Sequence, residues 1–136
     1  MTPDYPVPNE GEQVDLLVIG AGLIGLSLAH QLRGERYRVR LIEARSSDLG
    51  ADRPIDQRSI ALSFGSVMHL AARHGGIAPW NVLGRLACPI RTVHVSQRGH
   101  IASARLDASE VGVPALGYVI GADDLERGLL DALSSD

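Results

Sequence analysis

The residues Gly20-Ala21-Gly22-Leu23-Ile24-Gly25 have the spacing G-x-G-x-x-G, and the chemistry this spacing can do is anion capture. Gly20 permits a tight turn, Gly22 lets the backbone come close to a pyrophosphate, and Gly25 lets a helix pack closely on a strand. A helix opening at Leu23 and Ile24 would offer unpaired N–H groups to the anion, with its macrodipole behind them. Glu43 follows 18 residues after Gly25. A carboxylate there can accept hydrogen bonds from both ribose hydroxyls of an adenosine, and it would repel a 2′-phosphate. Ala44 and Arg45 come next, with Arg53 and Arg58 further on. Arginines beyond the ribose-binding acid are placed to meet an extended pyrophosphate, which suits FAD. NAD stays open, because both cofactors present an ADP moiety to such a turn.

These residues need particular elements around them. Val14 to Ile19 is an apolar run with one acid, suited to a strand buried on both faces of a parallel sheet. Leu23 to Leu32 has dense apolar positions at helical spacing, with Gly34 as its stop. Arg38 to Glu43 predicts a second strand that ends on the acid. Strand, Gly-rich turn, helix and strand within about 30 residues make a βαβ unit with a right-handed crossover. Ala29 and Leu32 extend the helical pattern and are predicted to pack on the sheet. Ser46 to Gln57 is polar and is predicted to run over the surface.

Further along, Ser59 to Leu62 is a short apolar stretch, and Ser63 is placed to cap a helix from Phe64 to His74, ended by Gly75-Gly76. Ile90 to Ser96 and Ile101 to Leu106 flank Gln97-Arg98-Gly99-His100, a hairpin pattern with glycine in the turn. Leu116 to Ile120 predicts another buried strand. Asp123 and Glu126 then have capping-box spacing ahead of a Leu125, Leu129, Leu130, Leu133 stripe. Residues 1–13 are expected to form a loose leader, and residues 14–136 one domain.

Composition narrows the function. The chain has 136 residues, 45% of them apolar, enough for one real core. All 13 basic residues are arginine, which excludes a Schiff-base lysine and the lysine of a phosphate-binding P-loop. The net charge of -3, without a basic stripe, speaks against nucleic acid as a partner. The single cysteine, Cys88, permits no internal disulfide and is expected to be a small buried residue. The apolar run from Leu16 to Leu32 is 17 residues long, carries three glycines and follows an acidic leader. It fits neither a membrane span nor a signal peptide, so a cytoplasmic location is expected. The pairs His69/His74 and His94/His100 lack the spacing of a helical zinc site, so no metal is expected. No serine has nucleophile-elbow context, and no catalytic acid or base stands out.

Together, Gly20 to Glu43, the stretch Arg58-Ser59-Ile60-Ala61-Leu62-Ser63 and the stretch Ile90-Arg91-Thr92-Val93-His94-Val95-Ser96-Gln97-Arg98-Gly99-His100 resemble a known family. It is the FAD-dependent aromatic hydroxylases of ubiquinone biosynthesis, of the 2-polyprenyl-6-methoxyphenol hydroxylase type. The resemblance runs from about Val14 to Leu133 and corresponds to the N-terminal portion of such enzymes. It implies an α/β fold, a Rossmann-like FAD-binding βαβ domain of the p-hydroxybenzoate hydroxylase fold, truncated here. Residues from about 88 to 110 would begin the substrate-domain sheet with its first hairpin.

By the same resemblance Gly20, Gly22, Leu23, Ile24, Gly25, Glu43, Ala44 and Arg45 hold the ADP half of FAD, and Arg58 lies against the cofactor. NADPH or NADH would supply electrons, a polyprenylated methoxyphenol would be the substrate, and the protein would be an FAD-dependent monooxygenase. Association with the inner membrane periphery, or with a ubiquinone-biosynthesis complex, is also implied. The family carries a polar or basic residue after the strand matching Tyr118-Val119-Ile120, where this chain has Gly121-Ala122. It also has later motifs containing Asp-Gly and Gly-Asp, so the 136 residues alone are not expected to hydroxylate anything. Other flavin- or NAD-linked oxidoreductases, and a non-catalytic dinucleotide-binding remnant, share the same first unit.

Overall fold

A computed structural model describes residues 13–44, 56–97, 99 and 103–134. The leader up to residue 12, Arg45, Arg53 and most of the predicted surface excursion lie outside the described residues, as do Arg98 and His100.

The first unit is β1 (Leu16–Ile19), α1 (Leu23–Leu32) and β2 (Val39–Ile42). The two strands are parallel, with Leu16 opposite Val39 and Ile19 opposite Ile42. The ladder runs one bond further, as the Gly20 N–H donates to the Ile42 carbonyl at 2.7 Å. The predicted βαβ unit is therefore present, its strands each shorter than the apolar runs that announced them. Burial of β1 on both faces is not. Leu16 and Leu17 are exposed and Ile19 is 82% exposed, because among the described residues only β2 lies alongside this strand. A parallel strand is covered only when neighbours and helices flank it.

A second layer consists of β3 (Ser59–Ser63), α2 (Phe64–Ala71), α3 (Trp80–Leu83), β4 (Cys88–Ile90), β7 (Gly117–Gly121) and α4 (Ala122–Ser134). β7 is central, pairing antiparallel with β3 on one side and β4 on the other. Between β4 and β7, β5 (Thr92–Ser96) and β6 (Ser103–Asp107) form the predicted hairpin as a separate two-stranded sheet. Ile90 does not belong to that hairpin. It ends β4 opposite Gly117, and the ladder with β7 breaks at Arg91. Cys88 is exposed rather than buried, since it opens the edge strand β4.

The two layers meet through α1 and α4, and Leu26, Leu70, Leu83, Ile120, Leu125 and Leu129 form one buried cluster. Burying a leucine of this kind contributes about 1.5–3 kcal/mol. The Leu125 and Leu129 positions of the α4 stripe are thus covered by the chain itself. Asp123 does not cap this helix. α4 begins at Ala122, and Asp123 sits in its first turn, paired with Arg127 at 2.7 Å.

Ser63 caps α2 as its position predicts, accepting from the Ser66 N–H at 3.2 Å. The helix stops at Ala71, however, short of the expected His74. The cause is tertiary: Gly75, at φ +68, packs backbone to backbone against Gly34, at φ +79, and the chain leaves the helix to reach it. His74 thereby meets His30 of α1, ring edge to ring face at 5.8 Å.

His30 is 1% exposed. Burial pushes its imidazole pKa down, the His74 and Arg33 charges push the same way, and the Ala72 backbone opposes them. Between the depressed native pKa and the ordinary histidine value the unfolded chain binds more protons, so stability falls as pH drops through that window. Wild-type Tm should therefore decline on acidification from about pH 7 to 5, and His30→Leu should flatten that decline, read by thermal melts across pH.

At Gly117 a Cβ would run into the backbone carbonyl oxygen of Leu62 on β3. Gly117→Ala should force β3 and β7 apart and cost about 1–3 kcal/mol, measured by urea denaturation.

Candidate dinucleotide-binding turn

The turn between β1 and α1 gathers the sequence-predicted glycines, and each behaves differently. Gly20 has φ +100, a conformation closed to most residues with a Cβ. A Cβ on Gly25 would collide with the carbonyl oxygen of Gly20 and would meet Leu41 Cδ1 at 3.5 Å. Both glycines are thus required by the fold itself. Gly22 is not. Its φ of -75° and ψ of -176° suit any residue, and among the described residues a Cβ there would meet nothing within 4 Å.

Gly22 is also the N-cap of α1, and no side chain caps the helix and no acid sits in its first turn. The first intrahelical bond runs from the Leu26 N–H to the Gly22 carbonyl at 2.9 Å. The N–H groups at the helix start therefore carry the positive end of the macrodipole without a side-chain acceptor. Leu23 turns into the core cluster, whereas Ile24 is 84% exposed beside the turn. Ser27 donates to the Leu23 carbonyl at 2.7 Å and stays within its own helix.

Glu43 stands immediately after β2, half-buried, with its Oε2 accepting the Ala21 N–H at 2.7 Å. The acid is thus brought to the turn from 22 residues away, as the spacing requires. Ala44 follows it at the surface. Arg58 stands just before β3. Its guanidinium is held by Asp56 through Nε at 2.8 Å and Nη2 at 2.6 Å, with the side chain 80% exposed.

One feature beside the turn was not foreseen. An open hollow of about 270 Å³ lies between α1, β3 and α2, lined by Leu23, Ile24, Ser27, Ile60, Ser66 and His69 among others. Its α1 side could have been found from the helical spacing of Leu23, Ser27 and Gln31; its other walls come from the tertiary fold. β7 ends at Gly121 and α4 starts directly at Ala122, with Asp123 and Asp124 in the first helical turn. Among the described residues no cluster of three or more His, Cys, Asp or Glu converges, and no helix is long and apolar enough to cross a membrane.

Residues 18–56 match a family described as an NAD(P)-binding Rossmann-like domain, a stretch that includes the Gly-rich turn, α1, β2 and Glu43. Over 126 residues, 91% of the chain, the sequence is 29% identical to 3-demethoxyubiquinol 3-hydroxylase of Escherichia coli. A second relative, phenol 2-monooxygenase fsqG of Aspergillus fumigatus, is 41% identical over 54 residues, 40% of the chain. The chain spans 31% of the length of the first relative and 9% of the second. The expected fold class holds: a Rossmann-like α/β unit carries the turn, and both relatives are named as oxygen-inserting enzymes.

Gly22→Val separates fold from ligand. Because its Cβ meets no described residue within 4 Å, the variant should lose only the glycine N-cap preference, about 0.5–1 kcal/mol or a few degrees in Tm. It should lose affinity for an adenine dinucleotide by tenfold or more, at about 1.4 kcal/mol per decade, read by titration.

Proposed function

We propose that this chain binds the ADP half of FAD on the Gly20–Gly25 turn, as the first dinucleotide-binding unit of a flavin-dependent aromatic hydroxylase. The observation that carries this is Gly22, whose backbone angles suit any residue and whose Cβ would meet no described residue within 4 Å, at a helix start without a side-chain cap. A pyrophosphate approaching there would meet the N–H groups at Leu23 and Ile24, and any Cβ would stand in its way. Glu43 lies within hydrogen-bond reach of the turn and would accept from the ribose hydroxyls, while Ala44 and Arg45 would line the continuing backbone. Arg58 would have to release Asp56 before touching the cofactor.

Bound flavin would supply the oxygen chemistry, with NADPH or NADH as the electron source. The likeness to 3-demethoxyubiquinol 3-hydroxylase supports a polyprenylated methoxyphenol as substrate of the whole protein. It also supports residues from about 88 to 110 as the start of a substrate-binding sheet, consistent with the β5–β6 hairpin standing apart from the other strands. A cytoplasmic protein working at the periphery of the inner membrane, alone or in a ubiquinone-biosynthesis complex, fits this reading. A second reading, NAD at the same turn, is favoured by the description of the family matching residues 18–56.

Titrating the chain with FAD, NAD, NADP and ADP separates the two readings. FAD and ADP should compete for one site, and NADP should bind weakest because Glu43 opposes its 2′-phosphate. Glu43→Ala should weaken FAD by about 1.5–3 kcal/mol. Binding of NAD with no competition from FAD would overturn the flavin assignment.

A further inference from the structure

We propose that Glu43 is a positioning residue: its carboxylate holds the Ala21 N–H and so fixes the shape of the Gly-rich turn before any ligand arrives. The purpose of that turn rests on the dinucleotide reading above, but the geometry does not. Main-chain pairing between β1 and β2 ends where the Gly20 N–H meets the Ile42 carbonyl at 2.7 Å. The next N–H, that of Ala21, meets Oε2 of Glu43 at the same 2.7 Å. The side chain takes up where the backbone carbonyls of β2 stop, and two successive N–H groups of the turn are tied to the end of one strand.

The tie matters because of what flanks it. Ala21 lies between two glycines, the residues with most backbone freedom to lose on ordering. Gly20 must stay at φ +100, and no side chain of its own holds it there. A bond from a neutral N–H to a carboxylate is roughly twice as strong as one between neutral partners. With the Ala21 N–H engaged, the N–H groups at the uncapped start of α1 are the ones left for an anion. The acid therefore acts on the turn as well as on whatever the turn binds.

The test is residue-resolved amide hydrogen exchange by NMR on the whole chain, comparing wild type, Glu43→Ala and Glu43→Gln. Gln keeps an acceptor oxygen at the same reach, whereas Ala removes it. In Glu43→Ala the Ala21 N–H should exchange about tenfold faster or more, and in Glu43→Gln it should stay within about threefold of wild type. The Leu26 N–H, bonded to the Gly22 carbonyl at 2.9 Å, should be unchanged in both. Unchanged Ala21 exchange in Glu43→Ala would overturn the proposal, and so would an equal rise in both variants. A rise shared by Leu26 and the β1 amides would equally overturn it, since Glu43 would then support the domain and not the turn. Titration of the wild type with ADP runs alongside. A wild-type chain that ignores ADP defeats the dinucleotide reading and leaves the exchange result standing.

Discussion

A single close approach organises the first half of this protein. Gly25 lies so near the carbonyl oxygen of Gly20 that there is no room for a Cβ between them. This contact sets α1 down on the β1–β2 pair and brings Gly25 against Leu41. Once α1 is placed there, Leu26 and His30 turn away into the core, where α4 and the β3–β7–β4 layer receive them. The helix that opens at the Gly-rich turn is thus also the joint between the two layers.

The division of labour among the three motif glycines follows from physics. Gly20 answers a backbone conformation, Gly25 answers a steric limit, and Gly22 answers neither. Packing and dihedral constraints inside the chain account for two of the three. The third stands at the N-cap of α1, where among the described residues neither a dihedral nor a steric limit demands a glycine.

Apolar exposure is uneven along the chain. β1 shows Ile19 and Leu17 to solvent, and the β5–β6 hairpin exposes Val95 and Leu106, whereas Leu129, Leu83 and Leu26 are wholly buried. A parallel strand is covered only where neighbours and helices flank it, and among the described residues β1 has β2 alone beside it.

Sequence alone determined the features that rest on local spacing. The β1–turn–α1–β2 unit, the Ser63 cap, the β5–β6 hairpin and the α4 stripe are all written within windows shorter than about 30 residues, where period and turn chemistry suffice. The placement of Glu43 at the turn was legible for the same reason, because a βαβ unit fixes how far the acid lies from the glycines. Tertiary structure decided the rest. That Ile90 joins β7 and not β5, that α2 yields at Ala71 to the Gly34–Gly75 contact, and that His30 is sealed beside His74 depend on partners 27 to 44 residues away. Such pairings are chosen by burial and register between distant segments, and no local pattern encodes which segment will be the neighbour. The bond from Ala21 to Glu43 lies between the two cases: spacing brought the acid to the turn, and only the folded backbone aimed its oxygen at that N–H.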